Sequence, residues 1–431
     1  MRGSGLKTLA TKLAAAAWLA AMAPVSTAAA PASGDAAGAD IGSLLKAMQQ
    51  GDEPAAERIY RSATDPAVHV LAAMVIERIH VHLDAATADA RLCQKDLFDS
   101  RPGIALLCGQ FESGDLRLAG HFGQALDLEA SLVRRYRGHG VDRQLEGMRA
   151  YLAHASRTPQ PQIAPPASDV VLPYREIPRQ GQARPIVAAE AHGHKFDLLI
   201  DTGASYMTLG QEQARQLGVT MLHTTGRTNG ILSRGVPVQH GVLDELHVGT
   251  LVLRNLPVNV VPGAHALIGA DLIAPWGSMR FGPSSLRIYG AHPDDLPACD
   301  SPMLAGSTLW GENLRLYPRL SINGQSRAVI LDTGDYMYLT GSQSALGNVT
   351  VLRRGTMGLR DLGGPHPFAS ARAAKVALVV AGQPIRMYFP VYPDASLPWP
   401  FLFGAGALRD MDFLLDFRHQ RMCFLLHPGL R

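Results

Sequence analysis

The pattern of apolar and polar residues divides the chain into a helical part and a β part. Residues 41–156 carry apolar side chains at helical spacing, with Leu44, Leu45 and Met48 on one face. This part predicts a domain of about five or six helices. Further along, short apolar runs alternate with Gly, Asn and Pro turns, which predicts two mostly-β lobes of about 110–120 residues each.

Proline-rich segments mark the boundaries between these parts. Residues 158–184 are rich in Pro, Gln and Ala, a composition typical of a linker. Residues 291–313 contain further prolines and indicate a second boundary. The predicted domains are a helical domain at 31–157, a first lobe at 185–292 and a second lobe at 293–431.

The helical part contains a repeated motif in which a turn is followed by a helix. Gly51-Asp52 precedes one such helix and Gly114-Asp115 precedes another. This arrangement resembles tetratricopeptide-type helical hairpins over about two repeats. An unclassified helical bundle explains the pattern equally well.

The β part contains an internal repeat built on an apolar strand that ends in Asp-Thr-Gly. The first copy is Phe196–Ser205 and the second is Ala328–Asp335. A second apolar segment follows each copy and ends in Gly-Ala, as Leu267–Ala270 and as Leu402–Ala405. Two copies with matching surroundings predict two similar small β domains on one chain.

A glycine precedes each copy at the same distance. Gly193 lies 8 residues before Asp201, and Gly324 lies 8 residues before Asp332. A glycine at such a place favours a hairpin turn that leads into the aspartate strand.

Composition and the N-terminus indicate a globular, exported protein. Hydrophobic residues make up 47% of the 431 residues and charged residues 18%, as in chains that form a core. Residues 1–30 combine a basic start, the apolar run Leu13–Pro24 and small residues, which predicts a cleaved signal peptide and a periplasmic or secreted location. An anchor helix is the alternative, but this run is short for a span of about 20 residues.

Charge gives no reason to expect a nucleic-acid partner. The sequence has 40 basic and 37 acidic residues, and loss of Arg2, Lys7 and Lys12 with the signal leaves 40 − 3 = 37 basic residues. The mature chain is therefore close to neutral, and it shows no basic stripe. No later stretch of the sequence is long enough to span a membrane.

Four cysteines suit an exported protein. We expect disulfides between Cys93 and Cys108 and between Cys299 and Cys423, although four cysteines allow about three pairings. Buried free thiols are the alternative.

Histidines are weak candidates for a metal site. His80 and His82 are two residues apart and so fall on different helix faces. His192 and His194 flank a predicted turn, where no cysteine or carboxylate completes a ligand set. We expect neither a metal nor a cofactor.

The paired Asp-Thr-Gly sequences suggest a catalytic pair of carboxylates. If the two loops meet, Asp201 and Asp332 face each other closely and share one proton, because two negative charges there repel. The ionised member then takes a proton from a water, and that water attacks an amide carbonyl. A lone Asp-Thr-Gly would be better interpreted as a simple turn.

Neighbouring residues fit this chemistry. Thr202 and Thr333 could hydrogen-bond across the junction between the loops. Gly203 and Gly334 let the two backbones and a substrate approach closely. We expect Ser205 to donate a hydrogen bond to the first aspartate or to its loop.

The Asp-Thr-Gly-Ala-Ser sequence, Asp201–Ser205, with Leu267–Ala270 downstream, resembles the retropepsin-like and pepsin-like aspartic proteases. It is most similar to bacterial retropepsin-like domains, here in tandem, and the resemblance covers about residues 180–431. It implies an all-β bilobal fold, a catalytic role for Asp201 and Asp332, and apolar segments packed behind their loops.

The same resemblance implies a β-hairpin flap that closes over the substrate. Gly226–Gly241 is the candidate in the first lobe, and Arg354–Pro367 occupies the equivalent place in the second. Two features depart from the family pattern: Asp335 follows the second Asp-Thr-Gly, and no flap tyrosine is evident. A third carboxylate there would raise the pKa of the pair or need a partner of its own.

These features predict an exported aspartic endopeptidase that binds a peptide or protein as an extended strand between the lobes. Its helical domain could be a propeptide, an inhibitor of the cleft or a docking module for a partner protein. A non-catalytic peptide-binding module on the same scaffold is the alternative. A third hypothesis makes the helices the functional part and the lobes their support.

Overall fold

The computed structural model describes most of the chain from residue 36 onward. The described ranges are 36–175, 184–230, 232–291, 295–346, 351–392 and 399–428. The predicted signal peptide lies outside them.

The N-terminal domain is helical, as predicted, but it has seven helices in the described residues instead of five or six. The additional helices arise because turns are very short: Asp52 and Asp65 each accept a hydrogen bond from the first turn of a new helix, which also contains a proline. The helices are α1 Ala36–Gln49, α2 Glu53–Ser62, α3 Pro66–Ile79, α4 Leu83–Leu97, α5 Pro102–Leu118, α6 Phe122–Arg135 and α7 Asp142–Ala155.

The predicted linker is not entirely a linker, because it contains strand β1, Val170–Pro173. Val170 and Leu172 are buried while Val171 and Pro173 are exposed, the alternation expected of a strand at the surface of a core. The composition of the segment gave no indication of this four-residue strand.

The first lobe is a seven-stranded sheet in the order β2-β3-β8-β4-β7-β6-β5, and an additional pairing of β2 with β6 curls the sheet toward a barrel. His192 and Gly193 both have positive φ in the turn between β2 and β3, which confirms the predicted hairpin turn. The elements are β2 Ile186–Ala191, β3 His194–Asp201, β4 Met207–Leu209, α8 Gln211–Gln216, β5 Thr220–Thr228, β6 Val236–Val248, β7 Leu251–Val260, β8 Leu267–Gly269, α9 Ala270–Ile273, β9 Ser278–Phe281 and β10 Ser285–Ile288.

The second lobe repeats this strand order. Its sheet runs β14-β13-β18-β19-β16-β20-β15, with β17 paired to β18, and a turn at Asn323 and Gly324 again has positive φ. The elements are β11 Ala305–Gly306, β12 Arg315–Leu316, β13 Arg319–Ile322, β14 Gln325–Ala328, β15 Ile330–Asp332, β16 Leu339–Ser342, α10 Gln343–Leu346, β17 Val351–Asp361, β18 Gly364–Val380, β19 Gln383–Tyr392, β20 Phe401–Gly404, β21 Met411–Asp416 and β22 Arg421–Leu426.

A shared sheet and two disulfides tie the units together. The terminal hairpins of both lobes lie side by side in the order β1-β10-β9-β21-β22. Cys93 bonds to Cys108 within the helical domain, and Cys299 bonds to Cys423 on β22, so both expected disulfides are present.

The helical domain packs directly on the second lobe. Its apolar core includes Ile330 from β15 and Leu402 from β20, the two strands that support the second Asp-Thr-Gly loop. Within the described ranges, no helix combines the length and apolar character needed to cross a membrane.

Candidate active site

The two aspartates occupy matching positions in the two lobes. Strand β3 ends at Asp201 and runs parallel to β8, where Asp201 lies opposite Gly269. Strand β15 ends at Asp332 and runs parallel to β20, where Asp332 lies opposite Gly404. The same pair of strands therefore carries each acid to the edge of its sheet.

The glycine opposite each acid has no room for a side chain. A β-carbon on Gly269 would lie 2.4 Å from the backbone carbonyl carbon of Ser205. A β-carbon on Gly404 would lie 2.3 Å from the carbonyl oxygen of Met337. The apolar-apolar-Gly segments thus pack directly behind the two aspartate loops.

A symmetric set of hydrogen bonds joins these loops. The backbone N–H of Thr202 donates to Oγ1 of Thr333, and the N–H of Thr333 donates to Oγ1 of Thr202, both over 3.0 Å. Each hydroxyl donates onward to a carbonyl of the other lobe, Thr202 to Leu331 at 2.8 Å and Thr333 to Ile200 at 2.7 Å. Both threonines are buried, so the junction excludes water.

Each loop also holds its own carboxylate in place. Oδ1 of Asp201 accepts N–H bonds from Gly203 at 2.8 Å and Ala204 at 3.1 Å. Oδ1 of Asp332 accepts the equivalent bonds at 3.0 and 3.1 Å from the residues two and three positions later. One oxygen of each acid is therefore fixed by backbone donors.

The two acids meet across the junction. A β-carbon on Gly203 would lie 2.4 Å from Cγ of Asp332, and one on Gly334 would lie 2.5 Å from Oδ2 of Asp201. The two carboxyl groups are close enough for the charge of Asp332 to act on Asp201. Only glycine fits at these two positions, because each backbone lies against the carboxyl group of the opposite lobe.

The environment favours retention of a proton by this pair. Burial raises the pKa of both carboxyl groups, and repulsion from Asp332 raises the pKa of Asp201 further. Backbone donors and the positive charge of Arg315 act in the opposite direction. Because the two groups interact strongly, they titrate as one unit that holds a shared proton.

Ser205 makes a contact that differs from the expected one. Its hydroxyl donates to Oδ1 of Asn313 at 2.8 Å and accepts from Arg315 at 3.1 Å, instead of binding Asp201. Asn313 and Leu314 donate their backbone N–H groups to Asp271, at 3.0 and 2.7 Å. The segment between the lobes thus holds the first aspartate loop, a long-range contact that the local sequence does not encode.

The third carboxylate, Asp335, has partners of its own. It accepts hydrogen bonds from the N–H of Met337 and from the hydroxyl of Thr340, both over 2.9 Å. Burial, followed by repulsion from Asp332, raises the pKa of Asp335 to about 6, although these hydrogen bonds and the charge of Arg184 oppose the rise. Asp335 therefore caps its own loop and does not bind the pair through its side chain.

Two arginines of the site were missed in the sequence. Arg315 contacts the first aspartate loop, and Arg184 donates to the carbonyl oxygen of Gly334 at 3.2 Å. Each arginine lies 17 residues before the aspartate of its own lobe, since 201 − 184 = 17 and 332 − 315 = 17. This equal spacing is the signal that could have revealed them.

Hairpins are present at both predicted flap positions. In the first lobe β5 and β6 cover residues 226–228 and 236–241 of the predicted range, and in the second lobe β17 and β18 cover residues 354–361 and 364–367. Among the described residues no group of three or more His, Cys, Asp and Glu side chains has the arrangement of a metal site. His80 and His82 instead bind Glu53 and Glu77.

A match to a protein-family model supports the resemblance. Residues 187–272 match the family model described as aspartyl protease. A solved structure, the aspartic proteinase from Irpex lacteus, is similar at 14% identity and a TM-score of 0.38, over 61% of this chain and 98% of that chain. No curated protein sequence matches the chain significantly.

The family match contains the first Asp-Thr-Gly loop, the first predicted flap and the Leu267–Gly269 strand. The resemblance to the pepsin-like and retropepsin-like aspartic proteases is therefore confirmed. In this chain the resemblance accompanies a helical N-terminal domain and a β-rich C-terminal region.

Proposed function

We propose that the protein is an exported aspartic endopeptidase that hydrolyses peptide bonds with a water activated between Asp201 and Asp332. One observation carries this proposal. The two carboxyl groups come from equivalent loops that are hydrogen-bonded to each other, each lies against the backbone of the opposite loop, and the pKa of both is raised, which favours a proton shared between them. A pair of acids in such a setting supplies both a base and an acid at the same place.

The chemistry follows from that shared proton. The ionised carboxylate accepts a proton from the water, whose oxygen forms a bond to the carbonyl carbon of the substrate. The protonated carboxyl donates a hydrogen bond to the oxygen on which negative charge develops. The C–N bond then breaks as the leaving nitrogen takes up a proton from the acid pair. No cofactor or metal enters this sequence of steps.

Substrate binding would use the space between the two lobes. An extended peptide there can hydrogen-bond through its backbone to the hairpin strands β6 and β18, as strands do when they join a sheet edge. The substrate is therefore a peptide or a protein. The chain's near-neutral charge, 37 basic and 37 acidic residues after signal removal, gives no reason for a nucleic-acid partner.

Export to the periplasm or beyond the cell rests on the N-terminal sequence and on the disulfides. Both disulfides, Cys93–Cys108 and Cys299–Cys423, suit an oxidising compartment. We also propose that the helical domain binds a partner protein through tetratricopeptide-like hairpins. Its packing on the second lobe favours a permanent scaffold over a removable propeptide.

A non-catalytic peptide-binding module is the second candidate. The sequence feature that favours a binding module is Asp335, a carboxylate next to the Asp201–Asp332 pair. Because Asp335 is satisfied by Met337 and Thr340, it offers little support for an inactive site. Both aspartates are also retained, whereas a binding module has no need of either.

A cleavage assay across pH tests the proposal. The mature chain should cut an unfolded protein substrate, and pepstatin should inhibit the cleavage. Asp201→Asn and Asp332→Asn should each lower kcat by at least about 100-fold, the scale of general acid–base catalysis. Equal behaviour of wild type and both variants, with peptide binding intact, would favour the binding module.

A further inference from the structure

A cavity lies where the helical domain, the linker and the first lobe meet. Its volume is about 90 Å³. Leu118 and Phe122 line it from the helical domain, Pro161 from the linker, and Val242 and Leu272 from the first lobe. Three separate parts of the chain therefore border one space, and these side chains give it an apolar wall.

The volume of the cavity sets the size of a molecule that fits. One water-sized position takes roughly 10–15 Å³ of such space, so about 90 Å³ accommodates roughly six to nine non-hydrogen atoms. Free valine or leucine, with about eight or nine non-hydrogen atoms, has this size, whereas a peptide of several residues is too large.

The wall also carries a positive charge. Arg117 of α5 lines the cavity, and its side chain is 11% exposed. Its Nη2 donates to Oε1 of Glu129 at 2.8 Å and to the hydroxyl of Tyr151 at 2.6 Å. Among the described residues, Nε of Arg117 has no hydrogen-bond partner. The guanidinium therefore has donor capacity left for a carboxylate, the group that it binds best.

Two acids bring negative charge to the same cavity, Glu312 and Asp271. Burial raises the pKa of Glu312, whereas the charge of Arg117 and the hydroxyl of Tyr206 act to lower it. Asp271 already accepts two backbone N–H bonds from the segment between the lobes. Glu312 is therefore the acid that suits an ammonium group.

These charges decide which polar groups a ligand can carry. A lone carboxylate would add a negative charge near Glu129, Glu312 and Asp271, and a lone ammonium would add a positive charge near Arg117. Either one is unfavourable in a partly buried space, where charges interact more strongly than in water. A zwitterion adds no net charge, and its two ends match Arg117 and Glu312.

We propose that this cavity is a binding site for one free α-amino acid with an apolar side chain. The carboxylate of the ligand accepts hydrogen bonds from Arg117, and its ammonium group donates to Glu312. Its side chain packs against Leu118 and Phe122. This site is separate from the acid pair, and the proposal does not depend on the protease function.

A bound amino acid would contact the loop that carries Asp201. Tyr206 lines the cavity and directly follows Ser205 in the chain. Asp271, which also lines the cavity, donates its backbone N–H to the carbonyl oxygen of Ser205 at 3.1 Å. Occupation of the cavity should therefore stabilise this N–H bond against local opening.

Isothermal titration calorimetry with L-leucine tests the site. Two probes serve as matched controls: isocaproate has the same apolar body without the ammonium group, and isopentylamine has it without the carboxylate. We expect L-leucine to bind and each control to bind at least about tenfold more weakly, the usual effect of losing a charge-assisted hydrogen bond.

Glu312→Gln tests the role of the acid, because glutamine keeps the shape of the side chain and removes its charge. It should weaken the binding of L-leucine by at least about tenfold and strengthen the binding of isocaproate, whose carboxylate then has one negative charge fewer beside it. Glu146→Gln is the matched control, since Glu146 is exposed on α7, and it should change neither affinity. The comparison of the three probes on the wild type depends on neither variant.

Amide exchange at Asp271 locates the bound molecule, and L-leucine should slow it. Three results would overturn the proposal: no binding of L-leucine up to about 10 mM, equal binding of all three probes, or binding that neither slows exchange at Asp271 nor responds to Glu312→Gln. Loss of peptide cleavage in the variants of the acid pair would leave the binding of L-leucine unchanged, so the two proposals fail separately.

Discussion

Arg184 and Arg315 cross between the lobes in opposite directions, each contacting the aspartate loop of the other lobe. Arg315 of the second lobe donates to Ser205 at 3.1 Å, and Arg184 of the first lobe donates to the carbonyl oxygen of Gly334 at 3.2 Å. The two arginines differ in the carboxyl groups whose pKa they lower. Arg315 lowers the pKa of both acids of the pair, whereas the charge of Arg184 acts on Asp335.

Replacement of Arg315 by glutamine should move the pH profile of kcat/KM to higher pH. A positive charge favours the ionised form of a nearby acid, so its removal raises the pKa of Asp201 and of Asp332. Both limbs of the profile belong to the pair and should therefore shift upward together. The measurement is kcat/KM against pH for the wild type and the variant.

Arg184→Gln is the control for this prediction. It removes an arginine at the equivalent position, but one that contacts the Gly334 carbonyl and the ring of Tyr336. Its profile should keep the wild-type position even if the rate falls. A shift of the same size in both variants would show that Arg315 acts through folding and not through its charge.

Thr202→Val should destabilise the protein by about 1–3 kcal/mol, the cost of leaving buried polar groups without partners. The change removes the hydroxyl that accepts from the N–H of Thr333 and donates to the carbonyl of Leu331. Valine has the shape of threonine, so the loss reports hydrogen bonding and not packing. Urea denaturation of the two proteins gives the difference in unfolding free energy.

Thr202→Ser should retain most of that stability, since serine keeps the hydroxyl. A loss for serine as large as that for valine would contradict this, because valine keeps the methyl group and lacks the hydroxyl while serine keeps the hydroxyl and lacks the methyl group, so the hydroxyl could not then account for the stability by itself. The comparison also bears on activity: a junction that loosens should lower kcat, because the two acids then depart from their reacting geometry.

Much of the candidate site was visible in the sequence because its parts repeat. The two Asp-Thr-Gly loops, the glycines eight residues before them and the Gly-Ala segments after them are local patterns, and each lies at an equivalent place in its lobe. The hairpin turns at Gly193 and Gly324 were predictable because positive φ at both turn residues favours glycine and asparagine.

Contacts between distant segments were not visible. Ser205 binds Asn313, which is 108 residues away, and strand β1 pairs with β10 although its own sequence is short and lies among prolines. Neither contact produces a periodic pattern in the sequence, because the pairing of such distant segments depends on how the lobes fold. The number of helices was underestimated for a different reason: the turns between them are too short to interrupt the apolar pattern.

Stability should depend on pH through the acid pair. The folded-state pKa of both acids is raised above the unfolded value of about 3.9, so the folded protein holds more protons between the two values. The contribution of the pair to the unfolding free energy should therefore be most favourable below about pH 4 and should decline as pH rises through that window. Asp332→Asn removes one titrating group and should flatten the decline.

Denaturation midpoints at several pH values test this, with wild type and Asp332→Asn compared at each. The difference between them isolates the pair from other buried acids such as Asp115 and Asp271, which are unchanged. A constant difference across pH would mean that the pair does not carry a raised pKa. The proposal of a shared proton would then fail.

Arg78→Met should destabilise the protein by about 3–5 kcal/mol, the usual effect of removing one partner from a buried ion pair. Arg78 is 2% exposed and binds Asp115 at 2.7 Å, so its loss leaves an unpaired buried acid. The same guanidinium donates to the carbonyl oxygens of Thr308 and Leu309, in the segment that leads to Arg315. Through Arg78 the helical domain therefore contacts the segment that leads to the first aspartate loop's partner, Arg315.

Arg61→Met is the control, because Arg61 pairs with Glu57 at the surface and should change stability very little. For Arg78→Met the loss should appear in one cooperative transition that includes the lobes and also reduces peptidase activity. If the helical domain were a removable propeptide or an inhibitor, the variant would instead melt in two steps and leave active lobes behind. The buried contacts of Arg78 with both units favour the single transition, and hence a helical domain that stays in place during catalysis.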